Sequence, residues 1–93
     1  METGAGTDAI DPEAIRGAIQ ARIQYPRVAR AQGIAGTVVV RFRVGPGGAP
    51  EDLTIVQSAG EILDDAARRA VERAAPFAGG GWVRVPVEFA LRP

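Results

Sequence analysis

Residues 37–59 read TVVVRFRVGPGGAPEDLTIVQSA, and the fold turns on whether this stretch is a β-hairpin. From Thr37 to Val44 the residues alternate. Val38, Val40, Phe42 and Val44 point one way; Thr37, Val39, Arg41 and Arg43 point the other. A period of two is the mark of a half-buried strand. The following GPGGAP is turn chemistry throughout. EDLTIVQSA then resumes an extended pattern, with Leu53 and Ile55 on one face. Two such runs joined by a glycine-rich turn predict a hairpin.

Toward the C-terminus the period changes. In GEILDDAARRAVERAAP, residues 60–76, Leu63, Ala67, Ala70, Val71 and Ala74 share one helical face. Asp64 precedes Arg68 by four residues and Asp65 precedes Arg69 by four, so two ion pairs are expected, both in the favourable acid-first order. Each adds only a few tenths of a kcal/mol, which leaves packing to the apolar face. Pro76 stops the helix, and FAGGG leads into WVRVPVEFALRP, residues 82–93. There Val83, Val85, Val87, Phe89 and Leu91 alternate with Arg84, Pro86, Glu88, Ala90 and Arg92, and all five apolar residues are expected in the core. Pro86 sits mid-strand, where it suits only an edge because it donates no ladder hydrogen bond.

Upstream of the hairpin, a helix is expected over 12–24. Asp11 is a good N-cap, Pro12 occupies the first helical position and Glu13 complements the helix dipole. Ile10 and Ile15 have the spacing of a hydrophobic staple, and Ile15, Ile19 and Ile23 form one stripe. Pro26 breaks this helix at Tyr25 and starts a short second one, with Val28, Ala29 and Ala31 available for burial. Gly33 ends it in a left-handed conformation, and a turn follows at Gly36. Residues 1–10 read as a flexible lead-in and 11–93 as a single domain. The fold class is α+β, in the order α-(α)-β-β-α-β. A right-handed crossover gives a three-stranded antiparallel sheet in the order second-first-third, with two main helices on one face.

Composition narrows the function. The 93 residues carry 11 arginines, no lysine and 11 acidic residues, for a net charge of zero. A neutral chain lacks the phosphate-neutralising charge of a nucleic-acid module and the polybasic patch of a membrane-surface binder. With no cysteine and no histidine there is no disulfide framework, no thiol chemistry and neither the commonest metal ligand nor the commonest general base. The adjacent carboxylates Asp64-Asp65 and Glu51-Asp52 do not converge on a point, and neither GPGG nor GGG precedes the Lys-Ser/Thr of a phosphate loop. The expectation is a non-enzymatic domain without metal or cofactor. No stretch approaches the ~20 apolar residues of a membrane span, and the N-terminus lacks the apolar run of a signal peptide.

Taken together, QYPRVARAQGIAGTVVVRFRVGPGG, LDDAARRAVERAAPF and VRVPVEFAL resemble, in order and spacing, the C-terminal domain of the TonB family of energy transducers. The resemblance runs from about Ile23 to Leu91. It implies a binding and force-transmitting module in the periplasm of a Gram-negative cell. The family's anchored N-terminal helix engages the ExbB–ExbD motor in the inner membrane, and its C-terminal domain captures the TonB box of an outer-membrane transporter as an added strand. Siderophores, haem or cobalamin are the cargo this implies.

The candidate partner-binding residues follow from that resemblance. They are the closing strand, Trp82, Val83, Arg84, Val85, Pro86, Val87, Glu88 and Phe89, whose backbone row could accept a partner by β-augmentation, and Gln24, Tyr25 and Pro26, which match the family's Gln-Tyr-Pro motif. Each has a plain alternative: strand side chains fill a core, proline breaks a helix, and tyrosine covers the core with its hydroxyl in water. Arg41 and Arg43 read as a solvated face that could guide an anionic partner. The other readings are a TonB-like adaptor in another envelope machine or sensor and, in a different class, a small nucleic-acid-binding α+β module. Against the latter stand the neutral charge and the expected lack of aromatics on strand faces. Either a monomer or a strand-exchanged homodimer is compatible with exposed edges.

Overall fold

A computed structural model describes residues 10–91. The expected lead-in, apart from Ile10, and the last two residues of the closing stretch, Arg92 and Pro93, lie outside the described residues. The elements are α1 (Pro12–Gln20), α2 (Arg27–Ala31), β1 (Gly36–Val44), β2 (Pro50–Gln57), α3 (Glu61–Ala74) and β3 (Gly81–Phe89), with a 3-10 turn over Pro46–Gly48. The sheet is antiparallel in the order β2-β1-β3, as the sequence predicts. Helices α1 and α3 lie side by side on one face of it, α1 against β3 and α3 against β1 and β2.

The core is the layer between them. Val38, Val40, Phe42 and Val44 of β1 meet Val83, Val85, Val87 and Phe89 of β3, under Ile15 and Ile19 of α1 and Leu63, Ala67, Ala70 and Val71 of α3. Burying each larger apolar side chain is worth about 1.5–3 kcal/mol. The alanines of α3 bring its backbone close to the sheet. Phe77, from the connector after α3, packs on Phe42 with ring centroids 5.3 Å apart. Its N–H donates to the Gly48 carbonyl at 2.9 Å. Gly48 has φ +82°, and a Cβ there would stand 2.5 Å from the Phe77 carbonyl oxygen, so the hairpin turn needs a glycine at this point.

Local signals explain the element ends. The Asp11 side chain accepts from the N–H groups of Glu13 and Ala14, at 3.1 and 3.2 Å. Gly33, at φ +69°, closes α2 while Ile34 N–H reaches back to the Ala29 carbonyl at 2.8 Å.

Several expectations are corrected. α1 ends at Gln20 rather than Gln24, because the chain tightens at once: Arg22 N–H bonds to the Ile19 carbonyl at 2.9 Å, a three-residue spacing that turns the backbone aside. Of the residues offered for burial in α2, only Ala29 is buried, and Val28 is 53% exposed. A five-residue helix has room to press one side chain into the core. Leu91 falls beyond the end of β3 and is 37% exposed, so four inward residues of that strand fill the core, not five. Finally, Asp65 pairs with Arg69 at 2.9 Å as expected, but Asp64 turns inward. It is buried and accepts from Ser58 Oγ and from the Ala59 N–H, the latter at 3.0 Å, fastening the turn before α3.

Candidate functional site

The two edges of the sheet differ in kind. β2 pairs with β1 through two register shifts, one between Val39 and Val40 and one between Arg41 and Arg43. Asp52 lies in the left-handed region at φ 55°, and Pro50 opens the strand. Bulges, proline and acidic residues make that edge a poor template for another chain. β3 instead runs in unbroken register with β1, from Gly36 opposite Phe89 to Val44 opposite Gly81.

The direction of each backbone group on β3 follows from one contact. The Gln20 carboxamide, from the last residue of α1, makes two hydrogen bonds to a single residue of β3. Its Nε2 donates to the Glu88 carbonyl at 2.8 Å, and its Oε1 accepts from the Glu88 N–H at 3.2 Å. Both backbone groups of Glu88 therefore face away from β1. In an antiparallel ladder this orientation repeats every second residue. With no bulge in β3, the N–H and C=O of Trp82 and Arg84 also face outward, and so do the nitrogen and carbonyl of Pro86. The proline in mid-strand is thus accommodated: its missing N–H costs the internal ladder nothing, and the gap lies on the free edge.

The side chains of the predicted residues divide by face. Val83, Val85, Val87 and Phe89 are buried beneath the helices, whereas Trp82, Arg84, Pro86 and Glu88 stand on the open face of the sheet. Trp82 is 48% exposed, with the Arg41 guanidinium 4.2 Å from its ring centroid and Arg43 at 6.0 Å. This puts an aromatic on a strand face where none was expected. Arg41 lies directly opposite Arg84, a like-charged pairing that stacking on the indole draws apart. Arg43 is held by Glu51 at 2.7 Å and Asp52 at 3.3 Å. Among the described residues no carboxylate reaches within 4.0 Å of Arg41 or Arg84.

Gln24, Tyr25 and Pro26 lie at the other end of β3. Tyr25 meets Phe89 edge to face, with centroids 5.6 Å apart. Its hydroxyl, expected in water, donates to the Ile34 carbonyl, and Arg30 lies 5.5 Å from its ring centroid. Pro26 caps α2, and Gln24 is exposed. The three residues also border a groove of about 740 Å³ whose far wall is α3, with Asp65 and Arg69. Trp82 is seven residues from Phe89, about 23 Å along an extended strand, so Tyr25 meets one end of β3 and Trp82 lies at the other, and the predicted residues do not form one spot. Gln20 was not singled out in the sequence. The one available signal was its polarity beside Ile19 of the apolar stripe, which does not distinguish an amide that binds a strand backbone from a solvated one. Among the described residues, no group of three carboxylates could hold a metal ion.

Fold and edge together define a small α+β domain with one edge strand, β3, whose outward backbone groups at Trp82 and Arg84 are paired by none of the described residues. The model of the family described as Gram-negative bacterial TonB protein C-terminal matches residues 21–91, and the chain belongs to that family. It is 38% identical to the TonB protein of Neisseria meningitidis serogroup C over 91 residues, 95% of this chain and 32% of that protein. To the tonB2 protein of Pseudomonas aeruginosa it is 38% identical over 76 residues, 73% of this chain and 28% of that protein. The chain thus spans about a third or less of these relatives' length. Among solved structures, the Helicobacter pylori TonB-CTD (residues 179–285) superposes with a TM-score of 0.76 at 26% identity, covering 100% of this chain and 98% of that one.

Proposed function

We propose that this domain captures an extended peptide segment by strand addition to the free edge of β3, and that the segment is the TonB box of an outer-membrane transporter. The observation that carries the reading is the contrast between edges: β2 is bulged and acidic, while β3 is regular and turns outward, at Trp82 and Arg84, N–H and C=O groups that no described residue pairs. Backbone pairing there supplies affinity, and side chains alternating on the open face supply selectivity. In this reading the domain works in the periplasm. Force from an ExbB–ExbD motor enters through a part of the protein outside this chain and passes to the transporter through the captured strand, driving nutrient uptake.

The test is a titration of the domain with a transporter-box peptide, followed by backbone amide shifts. The expected result is movement of the Trp82 and Arg84 amides while those of Thr54 and Val56 on β2 stay in place. Shifts confined to β2, or none on either edge, would overturn the reading.

A further inference from the structure

The candidate edge is partly closed by the domain itself. Gln20 presents a primary amide to Glu88 as a strand residue would present its peptide group, with one donor to the carbonyl and one acceptor for the N–H. Two paired bonds from one planar group are geometrically selective, so Gln20 fills the place that a partner residue opposite Glu88 would take. The next outward residue toward the N-terminus of β3 is Pro86, which offers a carbonyl but no N–H. Among the described residues, the outward row therefore has two positions with both groups open, Trp82 and Arg84, then a half-open position, then a closed one.

We infer that Gln20 sets the register and length of the captured strand, closing β3 at Glu88 so that a partner pairs along Trp82–Pro86 only. This inference rests on the strand-capture reading, but its structural half is measurable without any partner. The position of the stop comes from α1, whose buried Ile15 and Ile19 fix the helix over β3 and aim its last residue over the edge. A segment long enough to pass Pro86 gains nothing unless it displaces the amide, and it then exchanges two existing bonds for two similar ones. The edge accordingly selects for where a partner strand ends as well as for its sequence.

Hydrogen exchange on the free domain tests the closure, and peptide titration tests its consequence. In the unliganded protein the Glu88 amide exchanges slowly and the Trp82 and Arg84 amides rapidly; in Gln20→Ala the Glu88 amide joins the rapid group. Gln20→Glu, which keeps the shape and can accept but not donate, falls between. Both substitutions are at a partly exposed helix end, and folding is verified by the unchanged slow exchange of β1. For a transporter-box peptide long enough to span Trp82 to Glu88, Gln20→Ala tightens binding about three- to tenfold, the scale of one or two net hydrogen bonds. A version truncated opposite Pro86 binds both proteins equally. Rapid exchange at Glu88 in the wild type overturns the inference whatever the peptide does. Equal affinities of wild type and Gln20→Ala for the long peptide overturn the register role. If Glu88 is protected but neither peptide shifts Trp82 and Arg84, it is strand capture that fails, and the register role falls with it.

Discussion

Pro86 shows how one residue carries information about both sides of a strand. Its ring excludes a donor, and the bonds at Glu88 place its nitrogen on the outer side. The outer side is where the missing N–H matters only to a partner. Replacing it should therefore affect binding more than folding. Pro86→Val adds an outward N–H and a β-branched side chain on an exposed position, so stability changes by about 0.5 kcal/mol or less. A captured strand gains one ladder bond, worth about 1 kcal/mol or roughly fivefold in affinity. Calorimetric titration of both proteins with one transporter-box peptide reads this directly. A gain of about 1 kcal/mol in stability with no gain in affinity would mean that the nitrogen faces β1 and that valine restores an internal ladder bond. The edge position of this strand was legible in the sequence, because a proline amid alternating valines admits little else. The side its nitrogen faces was not legible: it depends on the register with β1, which no local pattern encodes.

At the scale of elements, the same division between local and non-local signals recurs in α3. The apolar face of Leu63, Ala67, Ala70 and Val71 was readable from spacing and packs as read. The i,i+4 rule treated Asp64 and Asp65 alike, yet the two carboxylates have opposite fates. Asp64 stands three residues before Ala67 and seven before Val71, on the buried side, so its carboxylate turns to the free donors of the 58–60 turn. Asp65 faces solvent and pairs with Arg69. Removing them should cost unequal amounts. Asp64→Ala strands the Ala59 N–H and the Ser58 hydroxyl and lowers unfolding stability by about 1–3 kcal/mol. Asp65→Ala breaks an exposed helix pair and costs about 0.5 kcal/mol or less. Denaturant melts of the two variants decide the matter, and equal losses would contradict the assigned roles. The early stop of α1 is a related case: its start was announced by Asp11 and Pro12, but its end belongs to the turn that carries Ile23 and Tyr25 back to the core.

For the whole molecule, an open β3 edge raises the question of why two copies should not pair through it. The free stretch is short, bounded by the Gly81 end of the strand and by Gln20 at Glu88. An antiparallel, two-fold pairing that overlaps Trp82–Pro86 completely sets Arg84 against Arg84 of the second copy and Trp82 against Pro86. Like charges directly opposite are unfavourable, and each Pro86 withholds a bond. Every partial overlap leaves fewer bonds still. These features disfavour self-pairing while leaving the backbone available to a chain of different sequence, which is the form of discrimination a capture edge requires. The expected state in solution is a monomer of 9.7 kDa. Substituting Arg84→Thr and Pro86→Thr together removes both obstacles and should give a concentration-dependent dimer in sedimentation velocity. Gln20→Ala, added as a third change, should strengthen that dimer by extending the ladder to Glu88. A wild-type chain that already sediments as a dimer, with the Trp82 and Arg84 amides protected from exchange, would show that the edge is a self-association surface. In that case the charge at Arg84 would not be what keeps copies apart.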